Sequence, residues 1–433
     1  MVEATRRESR TRPLDVQACL RATAAGALAG VVGSGYRSVL DLADPWRHAL
    51  IVRLGGTVVG WLGLAAVFAF GAALASWLTV RFAPEAAGSG IPHVEETLAR
   101  DGQLRWKRLL PVKFVAGALA LASGLSLGRE GPTVHLGAAL ASALEGGVGT
   151  TARRALLAAG AGAGLTAAFS APIAGAVFVL EELRVAPNLL MISTGLPAVL
   201  ASYLVTTAVL GSQPMFALPP VVVPSAWLLP LFAVLGVGAG IVGVVFNRGL
   251  LGSLALFESM RRVPPPLRAA AVGVLAAFVA AWLPTAIGSG EAVARVLVQG
   301  APAPLGGLVL LLAVKLALTL ASYGCGVPGG IFAPQLVLGA TLGAIVHALA
   351  PGLGGGALGP ALATAGMVGV FSASVRAPLT GLVLVVELTH QSHLLLPQAI
   401  AAIVAYLVAA GLRDRPIYEA LRERDAGRAG AAI

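Results

Sequence analysis

The sequence predicts an all-α polytopic membrane protein whose two repeated halves carry broken and tilted helices that meet near the bilayer midplane. Three observations support this prediction. Hydrophobic residues make up 57% of the chain and charged residues only 12%, Gly and Pro interrupt many apolar segments, and the second half repeats motifs of the first. Such a composition excludes an ordinary soluble enzyme. Short, interrupted apolar segments are typical of transporters in which irregular backbone lines a cavity.

The polar residues divide the chain into one membrane domain with short ends. We expect an N-terminal arm over residues 1–20, a membrane domain over 21–412 and a tail over 413–433. The repeat halves cover about 50–211 and 226–412. Both ends are rich in Arg, which places them in the cytoplasm and makes the number of crossings even. The same rule accounts for the net charge of +10 without a nucleic-acid partner.

Apolar segments follow one another along the membrane domain, separated by Gly-rich or Pro-rich breaks. Gly and Pro end helices, so Gly88-Ser89-Gly90-Ile91-Pro92 and the Pro-rich piece 214–224 predict breaks. The predicted apolar segments are 20–40, 51–80, 111–127, 133–146, 155–180, 188–211, 226–258, 269–285, 304–323, 335–350, 361–372, 377–388 and 394–412.

Arg129 and Glu130 form a charged pair in a stretch that otherwise suits the membrane interior. Charged side chains at that depth are costly unless they are paired or face water, so both are candidates for function. Gly128, Gly131 and Pro132 around them predict a broken helix followed by a new helix start. A helix start attracts anions, so the motif indicates an anion path; a structural ion pair is the alternative.

The two halves of the chain are similar in sequence. Gly88-Ser89-Gly90 recurs as Gly288-Ser289-Gly290, and Ala171–Glu181 aligns without a gap with Ala377–Glu387, with six of eleven positions identical. Two homologous halves in a membrane protein usually form a pseudo-symmetric transporter or channel with its site between them. This repeat does not tell whether the halves are inverted.

The halves differ at two acidic positions. Glu130 precedes Pro132 by two residues, whereas Phe332 occupies the same position before Pro334. Glu182 likewise has an apolar counterpart in the second half. The scaffold is therefore repeated, while these two acids belong to the first half alone.

Other charged residues are repeated, and we expect them to be structural. Lys113 and Lys315 occupy equivalent positions and are predicted to satisfy buried backbone or acidic groups. Glu181 is repeated as Glu387, which favours a structural role for that pair. His93 and His135 are not expected to act as proton relays.

At this point the motifs resemble those of a known family. Gly88-Ser89-Gly90-Ile91-Pro92, Gly128-Arg129-Glu130-Gly131-Pro132 and Gly330-Ile331-Phe332-Ala333-Pro334 are similar to the three selectivity-filter motifs of the CLC chloride channels and transporters. They occur in the family's order, and the resemblance extends from about residue 20 to Pro416-Ile417-Tyr418. Three motifs in register are far more specific than one.

The resemblance implies a fold and a set of chloride ligands. It implies a homodimer in the lipid bilayer, with inverted halves and one pore in each subunit. By motif, chloride would bind to the hydroxyl groups of Ser89 and Tyr418 and to the backbone N–H groups of Ile331 and Phe332. Ser89 matches the chloride-preferring form of the family.

The resemblance also implies proton coupling. Glu130 would act as the gate and transfer protons on the outer side, and Glu182 would transfer them on the inner side, as in the family's exchangers. We therefore expect proton-coupled chloride antiport; the alternative is a passive, voltage- or pH-gated chloride channel on the same fold. A third hypothesis, an intramembrane hydrolase using Ser89 or Ser289, has no supporting motif.

The remaining expectations concern location and cofactors. The resemblance implies a multi-pass protein of the cell inner (plasma) membrane. No cofactor or metal motif is found in the sequence, and Cys19 and Cys325 form no metal or disulfide pattern. The short sequence after Tyr418 predicts no CBS domains, as in the prokaryotic members. Enzyme activity is not expected.

Overall fold

The computed structural model describes residues 16–219, 221, 225–350, 352–353 and 358–431. Most of the predicted N-terminal arm, part of the Pro-rich piece 214–224 and the last two residues lie outside this part. Within it the chain forms seventeen α-helices and no strand, with two isolated β-bridges between loops. The prediction of an all-α protein is confirmed.

The first half of the chain contains eight α-helices. Gly and Pro residues separate them at the breaks that the sequence predicts, and one short 3₁₀ helix, Pro84–Ala86, precedes α3. The helices are α1 (Val16–Leu54), α2 (Val58–Phe82), α3 (Ile91–Ala99), α4 (Trp106–Ala122), α5 (Glu130–Ala143), α6 (Thr150–Phe169), α7 (Pro172–Glu181) and α8 (Leu189–Leu210).

The second half repeats this order helix by helix, with a 3₁₀ helix, Pro284–Ala286, again before its third member. Its helices are α9 (Leu229–Ser259), α10 (Pro265–Trp282), α11 (Glu291–Val298), α12 (Leu305–Gly324), α13 (Phe332–Leu349), α14 (Leu358–Val375), α15 (Pro378–Thr389) and α16 (Leu395–Gly411). A final helix, α17 (Ile417–Ala431), has no partner in the repeat. Gly128 and Gly330, at equivalent positions of the repeat, pair as an antiparallel bridge, and Gly88 pairs with Pro328 as a parallel one.

Helix α1 is longer than the sequence predicts. The apolar pattern indicates a segment over 20–40 and a second from 51, whereas α1 continues through Pro45 to Leu54. Intramolecular pairing makes this possible: Arg47, only 8% exposed, forms an ion pair with Asp44 at 2.5 Å and donates to the Leu121 carbonyl over 3.2 Å. Charges that resemble a loop are thus held within a helix.

Small residues let the inner helices pack closely in both halves. A Cβ on Gly137 would overlap the Gly160 carbonyl, and a Cβ on Gly339 would overlap that of Gly366. These contacts join α5 to α6 and, at the repeated positions, α13 to α14. Every residue of α14 is buried, so close packing of this kind builds the centre of the protein.

Nine helices in the described ranges are long and apolar enough to cross a membrane. Their outward faces carry many exposed apolar side chains, for example Phe70 and Leu204. In contrast, α7 and α15 are apolar but too short to span. The described part of the chain therefore combines full-length helices with short ones, as in the predicted architecture of broken helices.

Two glutamates connect the halves through helix caps. Glu387 accepts hydrogen bonds from the N–H groups of Ile173 (2.9 Å) and Ala174 (2.7 Å) at the start of α7. Glu181 accepts from those of Leu379 (3.0 Å) and Thr380 (2.6 Å) at the start of α15. The structural role predicted for this repeated pair agrees with the geometry, since a carboxylate at a helix start is stabilising.

Candidate functional site

Backbone hydrogen bonds join the three Gly-rich motifs at one place. The Gly128 N–H donates to the Gly330 carbonyl over 2.8 Å, and the Gly330 N–H donates to the Gly128 carbonyl over 2.7 Å. The Gly329 N–H donates to the Gly88 carbonyl over 2.9 Å. Every residue of the three motifs is buried except Gly88, which is half-buried. The starts of α3, α5 and α13 therefore converge on a single interior site.

The Glu130 carboxylate occupies the start of helix α13. Glu130 is fully buried, and its Oε1 accepts a hydrogen bond of 2.6 Å from the Phe332 N–H. Phe332 is the first residue of α13, so this N–H is one of the groups that the helix itself leaves unpaired. Such a position favours an anion. A negative side chain of the protein thus fills a site that suits an anion.

Glycine is required where the motifs meet around Glu130. A Cβ on Gly128 or on Gly330 would overlap the carboxylate oxygens of Glu130, and a Cβ on Gly131 would lie 2.9 Å from the Cα atoms of Ser89 and Gly330. These positions therefore need glycine for close approach rather than for an unusual φ. The glycines of the motifs therefore leave the space that the Glu130 carboxylate occupies.

Ser89 lies on the loop before α3. Its Oγ accepts a hydrogen bond of 3.3 Å from the Ile91 N–H, and its own N–H donates to the Tyr323 hydroxyl over 3.3 Å. In the repeat, the Ser289 Oγ accepts from the Glu291 N–H over 3.4 Å. Both serines thus lie alike at helix starts. Nothing in this geometry distinguishes either one as a nucleophile.

Tyr323 is a site residue that the sequence does not indicate. It lies at the end of α12, is 4% exposed, and its hydroxyl group contacts the loop from behind. A Cβ on Gly88 would lie 2.9 Å from that hydroxyl. It belongs to no motif, and more than 200 positions separate it from Ser89 (|i−j| = 234), so only the tertiary structure reveals it.

The Tyr418 side chain reaches the same site from α17. It is fully buried, and its ring centroid lies 5.8 Å from that of Phe332. Among the described residues its hydroxyl has no hydrogen-bond partner, and neither has Oε2 of Glu130. Buried polar groups are normally paired, so both atoms are available to a small polar or charged ligand. The segment predicted as a tail therefore brings the start of a helix to this site.

Arg129 does not pair with Glu130, although they are adjacent in the sequence. Its guanidinium group lies 2.9 Å from the Glu291 carboxylate and 3.4 Å from that of Asp41. We call these three residues the arginine cluster. The alternative of an Arg129–Glu130 ion pair is thus not what the structure shows. Glu130 interacts with a helix start, and Arg129 with acids of both halves.

Glu182 and Glu95 line a cavity of about 440 Å³ that also contains Arg184, Glu419 and Arg422. We call it the acid cavity. Both carboxyl groups are nearly buried and line the same cavity, so burial and their like charges favour a proton on one of them. Burial raises the pKa of Glu95, which lies on the short helix α3, to about 7. This carboxyl group can therefore exchange protons near neutral pH.

The arginine cluster and the acid cavity lie towards opposite ends of α1. Arg21 donates to the carbonyls of Glu145 (3.1 Å) and Gly146 (2.6 Å), just before α6, and Thr151 of α6 lines the acid cavity. Asp41 follows Arg21 by twenty residues in the same helix. That separation is about 30 Å at 1.5 Å per residue, close to the thickness of a hydrocarbon core. The two groups thus lie well apart along α1.

The repeated lysines support the loops from behind. Lys113 donates to the carbonyls of Ala86 (2.9 Å) and Gly88 (2.7 Å), and Lys315 donates to those of Ala286 (3.1 Å) and Gly288 (2.6 Å). The prediction that these lysines satisfy buried backbone groups agrees with these bonds. Each lysine fixes the Gly-Ser-Gly loop of its own half.

The two histidines form a pair beside the first motif. His93 Nδ1 and His135 Nε2 lie 3.0 Å apart, so one of these nitrogens donates to the other. The His135 ring fills the space that a Cβ on Gly90 would need. The pair thus packs against the Ser89 loop.

Comparison with known proteins gives consistent results. A family model described as "Voltage gated chloride channel" matches residues 70–410. The chain is 37% identical to the H(+)/Cl(-) exchange transporter ClcA of Vibrio cholerae over 410 residues, which cover 92% of this chain and 87% of that protein. It is 34% identical to ClcA of Cronobacter sakazakii, covering 94% of this chain and 89% of that protein.

Solved structures show the same likeness. A slow cyanobacterial Cl-/H+ antiporter superposes with a TM-score of 0.87 at 31% identity, covering 94% of this chain and 98% of that one. A CLC-type fluoride/proton antiporter superposes with a TM-score of 0.76 at 22% identity, covering 92% and 97%. The second likeness concerns the fold alone.

Proposed function

This chain belongs to the CLC family of voltage gated chloride channels and their transporter relatives, and we propose that within it the protein is a proton-coupled chloride antiporter. The relatives named above are described as H(+)/Cl(-) exchangers and as a Cl-/H+ antiporter. Identity of 31% to 37% over more than nine-tenths of the chain supports the same transport reaction here.

The observation that carries the proposal is the hydrogen bond between Glu130 and the N–H of Phe332 (2.6 Å). When the carboxyl group takes up a proton it loses the charge that holds it at the helix start. Chloride, which has the same charge as the carboxylate, then takes its place. Because one position serves both the anion and the acid, anion movement and proton movement are linked.

Partial charges suit chloride at this site better than a full cation. Helix N–H groups and hydroxyls bind a monovalent anion strongly enough to select it and weakly enough to release it. We propose the hydroxyls of Ser89 and Tyr418 and the N–H groups of Ile331 and Phe332 as ligands. Burial of all four residues, and the unpartnered Tyr418 hydroxyl, support this set.

A second acid has to supply protons from the other face of the membrane. We propose Glu182 for this role, with Glu95 as its partner. The burial of both carboxyl groups beside one cavity supports the assignment. The cavity gives Glu182 access to water, which a fully enclosed acid would lack.

We propose that both termini lie in the cytoplasm and that the acid cavity opens there. Arg-rich ends support this orientation. It places the arginine cluster on the outer face, which agrees with Glu130 as the outer gate. We also propose one pore in each subunit, since a single chain supplies every group of the site described above, and a homodimer, as the family resemblance implies.

Flux from liposomes tests the function. Vesicles that contain the purified protein are given a chloride gradient, and chloride efflux and external pH are recorded together. An antiporter uses the chloride gradient to move protons against their own gradient. This proton movement requires no added proton ionophore. Chloride flux without proton movement would contradict antiport and favour the passive channel.

A further inference from the structure

The arginine cluster joins residues of both halves beside the gate. Asp41 belongs to α1, Arg129 is the residue before α5, and Glu291 is the first residue of α11. The Arg129 side chain is only 4% exposed, and its Nε has no hydrogen-bond partner in the described ranges. A nearly buried guanidinium group is thus placed one residue from the carboxylate that fills the anion site.

The two acids differ in how strongly they hold Arg129. Glu291 is 2.9 Å from the guanidinium group with its side chain 15% exposed, whereas Asp41 is 3.4 Å away with its side chain 56% exposed. Water screens an exposed pair far more than a buried one. Glu291 is therefore the main counter-charge of Arg129, and Asp41 is the weaker one.

The position of Glu291 in the repeat is unusual. It follows Gly288-Ser289-Gly290, the second copy of the anion loop, at the place where the first copy has Ile91. A carboxylate at this helix start repels anions there. The second copy of the loop is therefore built to hold a negative charge of the protein.

Without the charge of Glu291, Arg129 would act as an uncompensated cation beside the anion site that Glu130 fills. A second arginine adds to the positive charge, since Arg37 lies 3.9 Å from Asp41, the weaker acid of the cluster. A full cation beside a chloride path holds the ion too tightly for rapid release. The protein thus needs the guanidinium group to be compensated.

We propose that Glu291 sets the chloride affinity of the anion site beside Glu130 by compensating the charge of Arg129. It is a positioning and affinity-determining residue of the second half, and it acts through Arg129 on the anion. The inference rests on the proposed function, because it assumes that chloride passes the site beside Glu130.

The test compares E291Q with wild-type protein by two measurements. Chloride Kd is measured by isothermal titration calorimetry in detergent, and the chloride dependence of exchange is measured in liposomes. Loss of a nearby negative charge should lower the chloride Kd by about three- to tenfold at moderate ionic strength. The half-saturating chloride concentration and the maximal rate should both fall, while the number of protons moved per chloride stays unchanged.

Three variants control the interpretation. E291D keeps the charge and should restore the chloride dependence of wild type. D41N removes the weaker counter-charge and should lower the chloride Kd by a smaller factor. This variant also tests the proposal if E291Q does not fold. E85Q removes an acid whose side-chain exposure, 16%, matches that of Glu291. Glu85 pairs with Arg108 at 2.7 Å, and its substitution should leave the chloride Kd unchanged.

The outcomes separate this inference from the proposed function. An unchanged chloride Kd in folded E291Q, or an equal change in E85Q, would overturn the role of Glu291. If wild-type protein binds chloride but moves no protons, antiport fails, while the comparison of Kd values still decides the role of Glu291. A changed proton-to-chloride ratio in E291Q would also count against it, because the proposal affects the anion alone.

Discussion

Glu181 and Glu387 each cap a short helix in the opposite half of the protein. Each carboxylate accepts hydrogen bonds from the first N–H groups of that helix. The two interactions are related by the internal repeat, and they join α7 to α15. In the sequence this pair is merely a repeated acid beside Glu182. The structure separates the roles of the neighbours, since Glu181 faces a helix start and Glu182 faces the acid cavity.

Glu387→Ala should lower stability without abolishing coupling. The substitution leaves the N–H groups of Ile173 and Ala174 without their acceptor, at a cost of about 1–2 kcal/mol for a lost helix cap. The apparent unfolding temperature in detergent should fall. As a control, Glu423→Ala removes an exposed ion pair with Arg415 and should change the apparent unfolding temperature little. Equal unfolding temperatures for the two variants would show that the cap contributes nothing.

Glu130→Ala should leave chloride flux and abolish proton movement. The variant frees the N–H of Phe332 and removes the group that carries the proton. Chloride efflux and external pH are recorded together from liposomes, and flux should lose its dependence on pH. Glu130→Gln, which imitates the protonated side chain, should behave in the same way. Uphill proton movement in either variant would mean that another group carries the proton.

Glu182→Gln should also uncouple protons from chloride, for a different reason. The gate remains intact, but the acid cavity loses the group that receives protons from water. A matched control is Glu96→Gln, since Glu96 lies on α3 next to Glu95 but pairs with Arg100 at 3.0 Å outside the cavity lining. The control should keep full coupling. If both variants or neither lose coupling, the assignment of Glu182 is wrong.

The sequence predicts the centre of this site well because its signals are local. Gly and Pro at Gly128-Arg129-Glu130-Gly131-Pro132 specify a helix start whatever surrounds them, and the repeat identifies Glu130 as an addition. The partners of Arg129 and the contact of Tyr323 with Ser89 could not be predicted. They depend on contacts between residues far apart in the chain, and no motif contains Asp41 or Tyr323.

The path of α1 shows a second limit of sequence reasoning. The charged residues between Asp41 and Arg47 resemble a loop, because isolated charges are expensive within an apolar segment. In the folded protein Asp41 faces Arg129, outside α1, and Arg47 faces Asp44 within it, so the charges are compensated. Hydropathy cannot reveal such pairing, since it treats each side chain separately.

Gly330→Ala should disturb the gate while Glu130 itself is left unmutated. Gly330 has no positive φ, so the backbone accepts alanine, but the new Cβ would overlap the Glu130 carboxylate and lie 2.7 Å from the Gly131 nitrogen. The carboxylate then cannot remain on the Phe332 N–H, and chloride competes for the free helix start. We expect fewer protons moved per chloride in the liposome assay, together with a loss of stability of about 1–3 kcal/mol from overpacking.

Two comparisons decide whether this effect acts through the carboxylate. Gly252→Ala, in α9, places a Cβ where no atom lies within 4 Å, so its coupling ratio should equal that of wild type. In the Glu130→Ala background Gly330→Ala should change the coupling no further, because the group it displaces is already absent. Full coupling in a folded Gly330→Ala variant would contradict this geometry, since the carboxylate and the added methyl group need the same space.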